Sequence, residues 1–63
     1  MAVGEEIEVT YLGGGSTHTF TTKLFGRVIT VKDDQLVGSS ILESGKSFVL
    51  RRDRQAAYTV SFA

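Results

Sequence analysis

The chain contains no cysteine and no proline, and only one histidine, His18. Without cysteine there can be no disulfide and no thiolate zinc site. A single histidine cannot build a His-rich metal site, so no metal or other cofactor is expected. No apolar run approaches the roughly 20 residues that a membrane helix needs, and no membrane partner is expected. The opening stretch Met1 to Glu6 has no basic segment followed by an apolar one, so it does not read as a signal peptide. These absences point to cytoplasmic synthesis. Excess charge is missing too, because seven basic and seven acidic side chains cancel. A nucleic-acid binder normally carries a basic excess, since phosphate contacts supply much of its affinity.

With 63 residues there is room for one domain, taken as 1–63. A domain this small has a thin core and usually relies on a staple or a partner. With disulfides and metals excluded, stability must come from a well-packed sheet or barrel, or from oligomerisation. No repeat, linker or low-complexity stretch divides the chain.

Period-two alternation is the main signal present. In Glu6 to Tyr11, the residues Ile7, Val9 and Tyr11 share one face, and Glu6, Glu8 and Thr10 share the other. Gly13, Gly14, Gly15 and Ser16 read as a hairpin loop. Thr17 to Phe25 is a second strand, with His18, Phe20, Thr22 and Leu24 on one face. Gly26 interrupts it, and Arg27 to Lys32 resumes. Phe25-Gly26 is therefore expected as the bend of one long strand. Residues 34–44 are ambiguous between a short helix or helical turn and a strand with a bend. Asp33 or Asp34 could cap a helix that Gly45 ends, whereas Gly38-Ser39-Ser40 is a poor helix centre. Phe48 to Leu50 reads as a strand, Arg51 to Ala56 as a polar connection, and Tyr58 to Phe62 as a last alternating strand. The expected fold is mainly β: a small five- or six-stranded barrel or sandwich, SH3-like or OB-like by analogy of pattern. The expected core is Ile7, Val9, Phe20, Leu24, Val28, Leu50, Tyr58, Val60 and Phe62.

No catalytic constellation is visible. Ser44-Gly45-Lys46-Ser47 resembles the tail of a phosphate-binding loop, but Ser40 stands where the motif needs glycine, and a strand follows instead of a helix. His18 reads as a partly exposed rim residue without a marked nucleophile. Glu5, Glu6 and Glu8 lie at the solvent face of a strand. If the first strand pairs with the arginine-bearing segment, they can face Arg51, Arg52 and Arg54.

The expected function is a non-enzymatic protein–protein interaction or assembly module. It would act with itself or in a larger assembly, for example as a small accessory subunit of a viral capsid or tail, with the virion as a further setting. The alternative is a small barrel that binds single-stranded nucleic acid through Arg51, Arg52, Arg54 and neighbouring lysines. The candidate interface is Phe25, which is out of phase with Phe20 and Leu24, together with Gly13, Gly14, Gly15, Arg51, Arg52 and Arg54.

Overall fold

A computed structural model describes residues 1–63. It is mainly β and contains no α-helix. The strands are β1 (Glu6–Gly14), β2 (Thr17–Thr22), β3 (Val28–Lys32), β4 (Leu36–Val37), β5 (Ser47–Arg54) and β6 (Ala57–Phe62). They form one mixed sheet in the order β3-β2-β1-β5-β6-β4. All pairings are antiparallel except β4 with β6, which is parallel. A 3-10 turn of three residues, Asp33–Gln35, carries the chain from edge strand β3 to the opposite edge strand β4. No ladder joins those two edges.

Registers explain the core. Ile7 stands opposite Leu50 and Val9 opposite Phe48 across β1 and β5. Tyr11 stands opposite Phe20, Phe20 opposite Ile29, and Leu50 opposite Val60. Each strand thus turns its apolar residues to one side. The buried set is Val9, Tyr11, His18, Phe20, Val31, Leu36, Phe48, Leu50 and Val60. Ile7 and Tyr58 pack against it from its margin.

Three residues expected in the core are exposed: Leu24 at 81%, Val28 at 65% and Phe62 at 71%. The reason for Leu24 is that Phe25-Gly26 does not bend one long strand. The chain reverses there, with Gly26 at φ +64°. The Gly26 N–H donates to the Thr22 carbonyl, and the Thr22 N–H donates to the Arg27 carbonyl. Lys23 to Gly26 is therefore a hairpin tip, and alternation ends at Thr22. Val28 lies beside Ile29, and only one of two neighbours can face inward. The pairing of Ile29 with Phe20 gives that place to Ile29. Phe62 keeps the inward phase, but it lies at the end of the last strand with Phe48 as its aromatic neighbour, 6.1 Å between ring centroids.

Residues 34–44 are neither a regular helix nor a bent strand. They hold the end of the first 3-10 turn, the two-residue strand β4, and a second 3-10 turn at Ser39–Ile41. Leu36 is buried where β4 pairs with β6. Gly38 takes φ +89°, and a Cβ there would sit 2.8 Å from the Val60 carbonyl oxygen. The backbone turns out of β4 at that contact, which excludes a continuous helix. Arg51 to Ala56 is likewise mostly strand, because β5 continues to Arg54 between β1 and β6. No helix is long and apolar enough to cross a membrane.

Candidate functional site

The largest surface feature lies at the β2–β3 hairpin. Leu24 and Phe25 project from its tip, Phe25 at 72% exposure, and Val28 follows on the rising strand. The exposure expected for Phe25 is thus present. The Arg27 guanidinium lies 5.6 Å from the Phe25 ring centroid, within cation–π range. Beside the tip runs an open groove of about 690 Å³, whose lining includes Ile7, Leu24, Phe25, Val28 and Ile29. Charged side chains rim it: Glu5, Glu6, Glu8, Lys23 and Arg27. Apolar and charged side chains thus share the lining. Sequence reasoning assigned Leu24 and Val28 to the core. The signals that could have placed them outside are Gly26, a turn residue two positions from Leu24, and the alternation of Ile29 and Val31 with Thr30 and Lys32, which leaves Val28 on the polar side.

The groove borders an open edge. Strand β3 pairs only with β2. Hydrogen-bonded pairs alternate in an antiparallel ladder. The Thr22-to-Arg27 bond and the Asp33 N–H to Ser16 carbonyl bond fix the phase. Arg27, Ile29, Val31 and Asp33 direct their ladder groups to β2. Val28 and Thr30 therefore direct theirs away from the sheet, as does the Lys32 N–H.

A second cluster lies inside. His18 is buried on β2, contrary to the expected rim position. It shares the inward phase of Phe20, and a buried imidazole needs partners on both nitrogens. The Tyr11 hydroxyl lies 2.8 Å from His18 Nδ1, and Asp33 Oδ1 lies 2.6 Å from Nε2. An ionised carboxylate only accepts, so Nε2 carries a proton toward Asp33, while Nδ1 and the Tyr11 hydroxyl share the other hydrogen bond. Tyr11 also has the Gly14 carbonyl at 3.4 Å as a second acceptor. The cluster ties β1, β2 and the β3–β4 turn together. Of its three members only Asp33 borders a surface hollow, the one lined by Ser16, Thr17, Lys32, Asp33 and Asp34. Tyr11 and His18 are buried and Asp33 is exposed, so the triad links the interior of the sheet to the surface of the β3–β4 turn.

The hydrogen bond from His18 holds the Asp33 carboxyl below its ordinary range, with a further hydrogen bond from Ser39 acting the same way. A depressed carboxylate stabilises the fold above the unfolded-state pKa of about 3.9, and this contribution disappears as pH falls through the folded-state value. Asp33→Asn should therefore lower the urea midpoint at neutral pH. The gap from the parent protein should close below about pH 4. A midpoint difference that stays constant from neutral to acid would show that Asp33 does not act through its charge.

The arginines expected at an interface are largely engaged within the chain. Arg51 Nε donates to Asp53 Oδ1 at 2.8 Å, and the Thr59 hydroxyl donates to the other Asp53 oxygen. The hydrogen bond from Thr59, then the hydrogen bond and charge of Arg51, hold the Asp53 carboxyl below its usual range. Arg52 donates to the carbonyls of Met1, Gln55 and Arg54, and its guanidinium lies 5.7 Å from the Tyr58 ring centroid. It closes the end of the inner face that Phe48 and Leu50 begin. Of these three arginines, only Arg54 is exposed without an ion pair. Glu6 does stand opposite Arg51 across β1 and β5, although Arg51 makes its close ion pair with Asp53. The glycine run is also divided. Gly13 and Gly14 belong to β1, opposite Thr19 and His18, and only Gly15 and Ser16 form the turn. No three His, Cys, Asp or Glu side chains gather in a metal-holding arrangement.

The structure thus places Phe25, one of the residues sought in the sequence, beside an open strand edge. It places Arg51, Arg52 and Arg54 on β5, two strands away from β2. Comparison with protein-family models, curated proteins and solved structures finds no match.

Proposed function

We propose that the chain is a non-enzymatic protein-interaction module, an accessory subunit that docks through its β2–β3 hairpin and the free edge of β3. The observation that carries this reading is the exposure of Leu24, Phe25 and Val28 in one place, beside unpaired ladder groups. Scattered apolar residues on a surface mean little, but a cluster beside an open edge is a docking surface. Edge addition supplies main-chain hydrogen bonds, and side-chain contacts at the tip supply selectivity. The short passage from β3 to β4 fits a strongly coiled sheet, which we read as a barrel left open between those strands. That opening keeps the β3 edge available. Binding of single-stranded nucleic acid has less support, because Arg51 and Arg52 are spoken for and net charge is zero.

The test is Phe25→Ser. The variant should keep its circular dichroism spectrum and its urea midpoint, within about 0.5 kcal/mol as for other exposed sites. Its association, followed by sedimentation velocity, should be lost. A variant that keeps both stability and assembly state would remove Phe25 from the reading. A variant that unfolds would return Phe25 to the core.

A further inference from the structure

We propose that the partner on the β3 edge is a second copy of this chain, paired antiparallel through β3 about a twofold axis at Thr30. The inference rests on the docking reading above and adds the occupant and the register.

Three observations support it. The first is ladder phase. Val28 and Thr30 direct both main-chain groups outward, and Lys32 directs its N–H the same way, given the fixed phase of the β2–β3 ladder. A twofold axis at Thr30 places Thr30 opposite Thr30 and Val28 opposite Lys32 of the second copy. Each outward residue then meets an outward residue. Thr30 of each copy exchanges both ladder bonds with the other. Each Lys32 N–H meets the Val28 carbonyl of the second copy.

The second observation is charge. Arg27 precedes β3, and Asp33 and Asp34 follow it. In the antiparallel register Arg27 lies beside the Asp33-Asp34 pair of the second copy, at both ends of the interface. A parallel register would set Arg27 beside Arg27 and acid beside acid. The strand is therefore self-complementary in one direction only, which is the requirement of a twofold interface. The hairpin tip with Phe25 then extends past the end of the opposing β3, along the Asp33–Gln35 turn of the second copy.

The third observation is what each edge lacks. Natural sheets protect their edges by shortness, bulges, proline or charge in the strand. The opposite edge, β4, is two residues long. β3 has five residues, no bulge against β2 and no proline, and its only charged residue is Lys32 at its end. The short β4 cannot accept the length of β3, so head-to-tail assembly of β3 on β4 is disfavoured against β3 on β3.

The experiment uses the absence of cysteine in the parent chain. Thr30→Cys and Val28→Cys are oxidised separately with diamide and run on non-reducing gels. The two Thr30 residues would face each other at about 5.5 Å between Cα atoms, within disulfide reach. The two Val28 residues would lie four positions apart along the ladder, about 13 Å, beyond it. Thr30→Cys should cross-link into a dimer, and Val28→Cys should not. In parallel, sedimentation equilibrium compares Arg27→Asp, Asp34→Arg and the double variant. Asp33 is left intact because His18 depends on it. Each single reversal should raise the dimer dissociation constant about tenfold or more, and the double variant should restore it.

A chain that stays monomeric at millimolar concentration overturns the proposal, as does equal cross-linking of the two cysteine variants. Loss of association in Phe25→Ser without cross-linking of Thr30→Cys leaves the docking surface standing and overturns the twofold pairing. Cross-linking of Thr30→Cys with Phe25→Ser unaffected supports the pairing and overturns the role of the tip.

Discussion

Phe20→Ala is expected to destabilise the fold by about 3–5 kcal/mol, the range for deleting a fully buried ring. Phe20 sits in the middle of β2 at 0% exposure, with Tyr11 opposite it on β1 and Ile29 opposite it on β3. Its ring lies 5.3 Å from that of Tyr11, in a tilted arrangement that aromatic pairs favour. Only nine residues are buried, so few neighbours can close the resulting cavity. A chain of this length has a total stability of about 3–9 kcal/mol. The substitution therefore removes a large part of it, and the urea midpoint should fall by at least a third. The control is Leu24→Ala. Leu24 shares the alternation phase of Phe20 in the sequence, yet it lies at the hairpin tip, so its removal should change stability by no more than about 0.5 kcal/mol. Equal losses for the two variants would mean that β2 runs on through Leu24 and that the hairpin is misplaced.

That pair of variants marks where alternation informs and where it stops. Strand β1 was readable because polar and apolar residues alternate without a break from Glu6 to Tyr11. The last strand was readable for the same reason from Tyr58 to Val60. Alternation fixes a face only while the strand lasts, and nothing in Thr21 to Phe25 says that the strand ends at Thr22. The stop is set by the turn hydrogen bonds around Gly26, which depend on β3 returning to pair with β2. On β3 itself, Ile29 and Val31 alternate with Thr30 and Lys32, which puts Val28 on the polar side, and the register of Ile29 with Phe20 agrees.

Side-chain partners were less legible than strands. His18 falls on the inward face by phase alone, and burial of an imidazole implies partners. Its identified partners are Tyr11, seven positions earlier, and Asp33, fifteen positions later. Which tyrosine and which aspartate follow only once β2 lies between β1 and the β3–β4 turn. The arginine run misled in the opposite direction. Arg51-Arg52-Asp53-Arg54 has the composition of a connection, but β5 is held between two neighbours, and tertiary pairing overrides local preference. Arg52 shows how: its guanidinium is satisfied by three carbonyls of the chain itself, so the charge belongs at the end of the inner face. The open edge at β3 could not be read at all without the strand order, because an edge is a property of the sheet and not of the strand.

Gly14→Ala should be among the most damaging single-methyl additions, with a loss of about 2–4 kcal/mol. Gly14 has φ +139°, a region that L side chains rarely enter. A Cβ built there would lie 2.0 Å from the Thr17 carbonyl oxygen, 2.9 Å from its carbon and 3.0 Å from the His18 Cα. All three are backbone atoms of the facing strand, so no side chain can swing aside to relieve the overlap. The hairpin would have to open at the pair Gly14 and His18. Opening there moves His18 relative to Tyr11 and Asp33 and strains the cluster that ties three elements together. Gly15→Ala provides the comparison. Gly15 has no unusual φ, and nothing lies within 4 Å of its Cβ position, so its substitution should shift stability by at most about 0.5 kcal/mol. Urea midpoints for the two variants, with the near-ultraviolet signal of Tyr11 in a Tyr58→Phe background as a local reporter, separate the two glycines. If both alanine variants unfold at the parent midpoint, Gly14 is not pressed against Thr17, and the glycine run is a free loop after all.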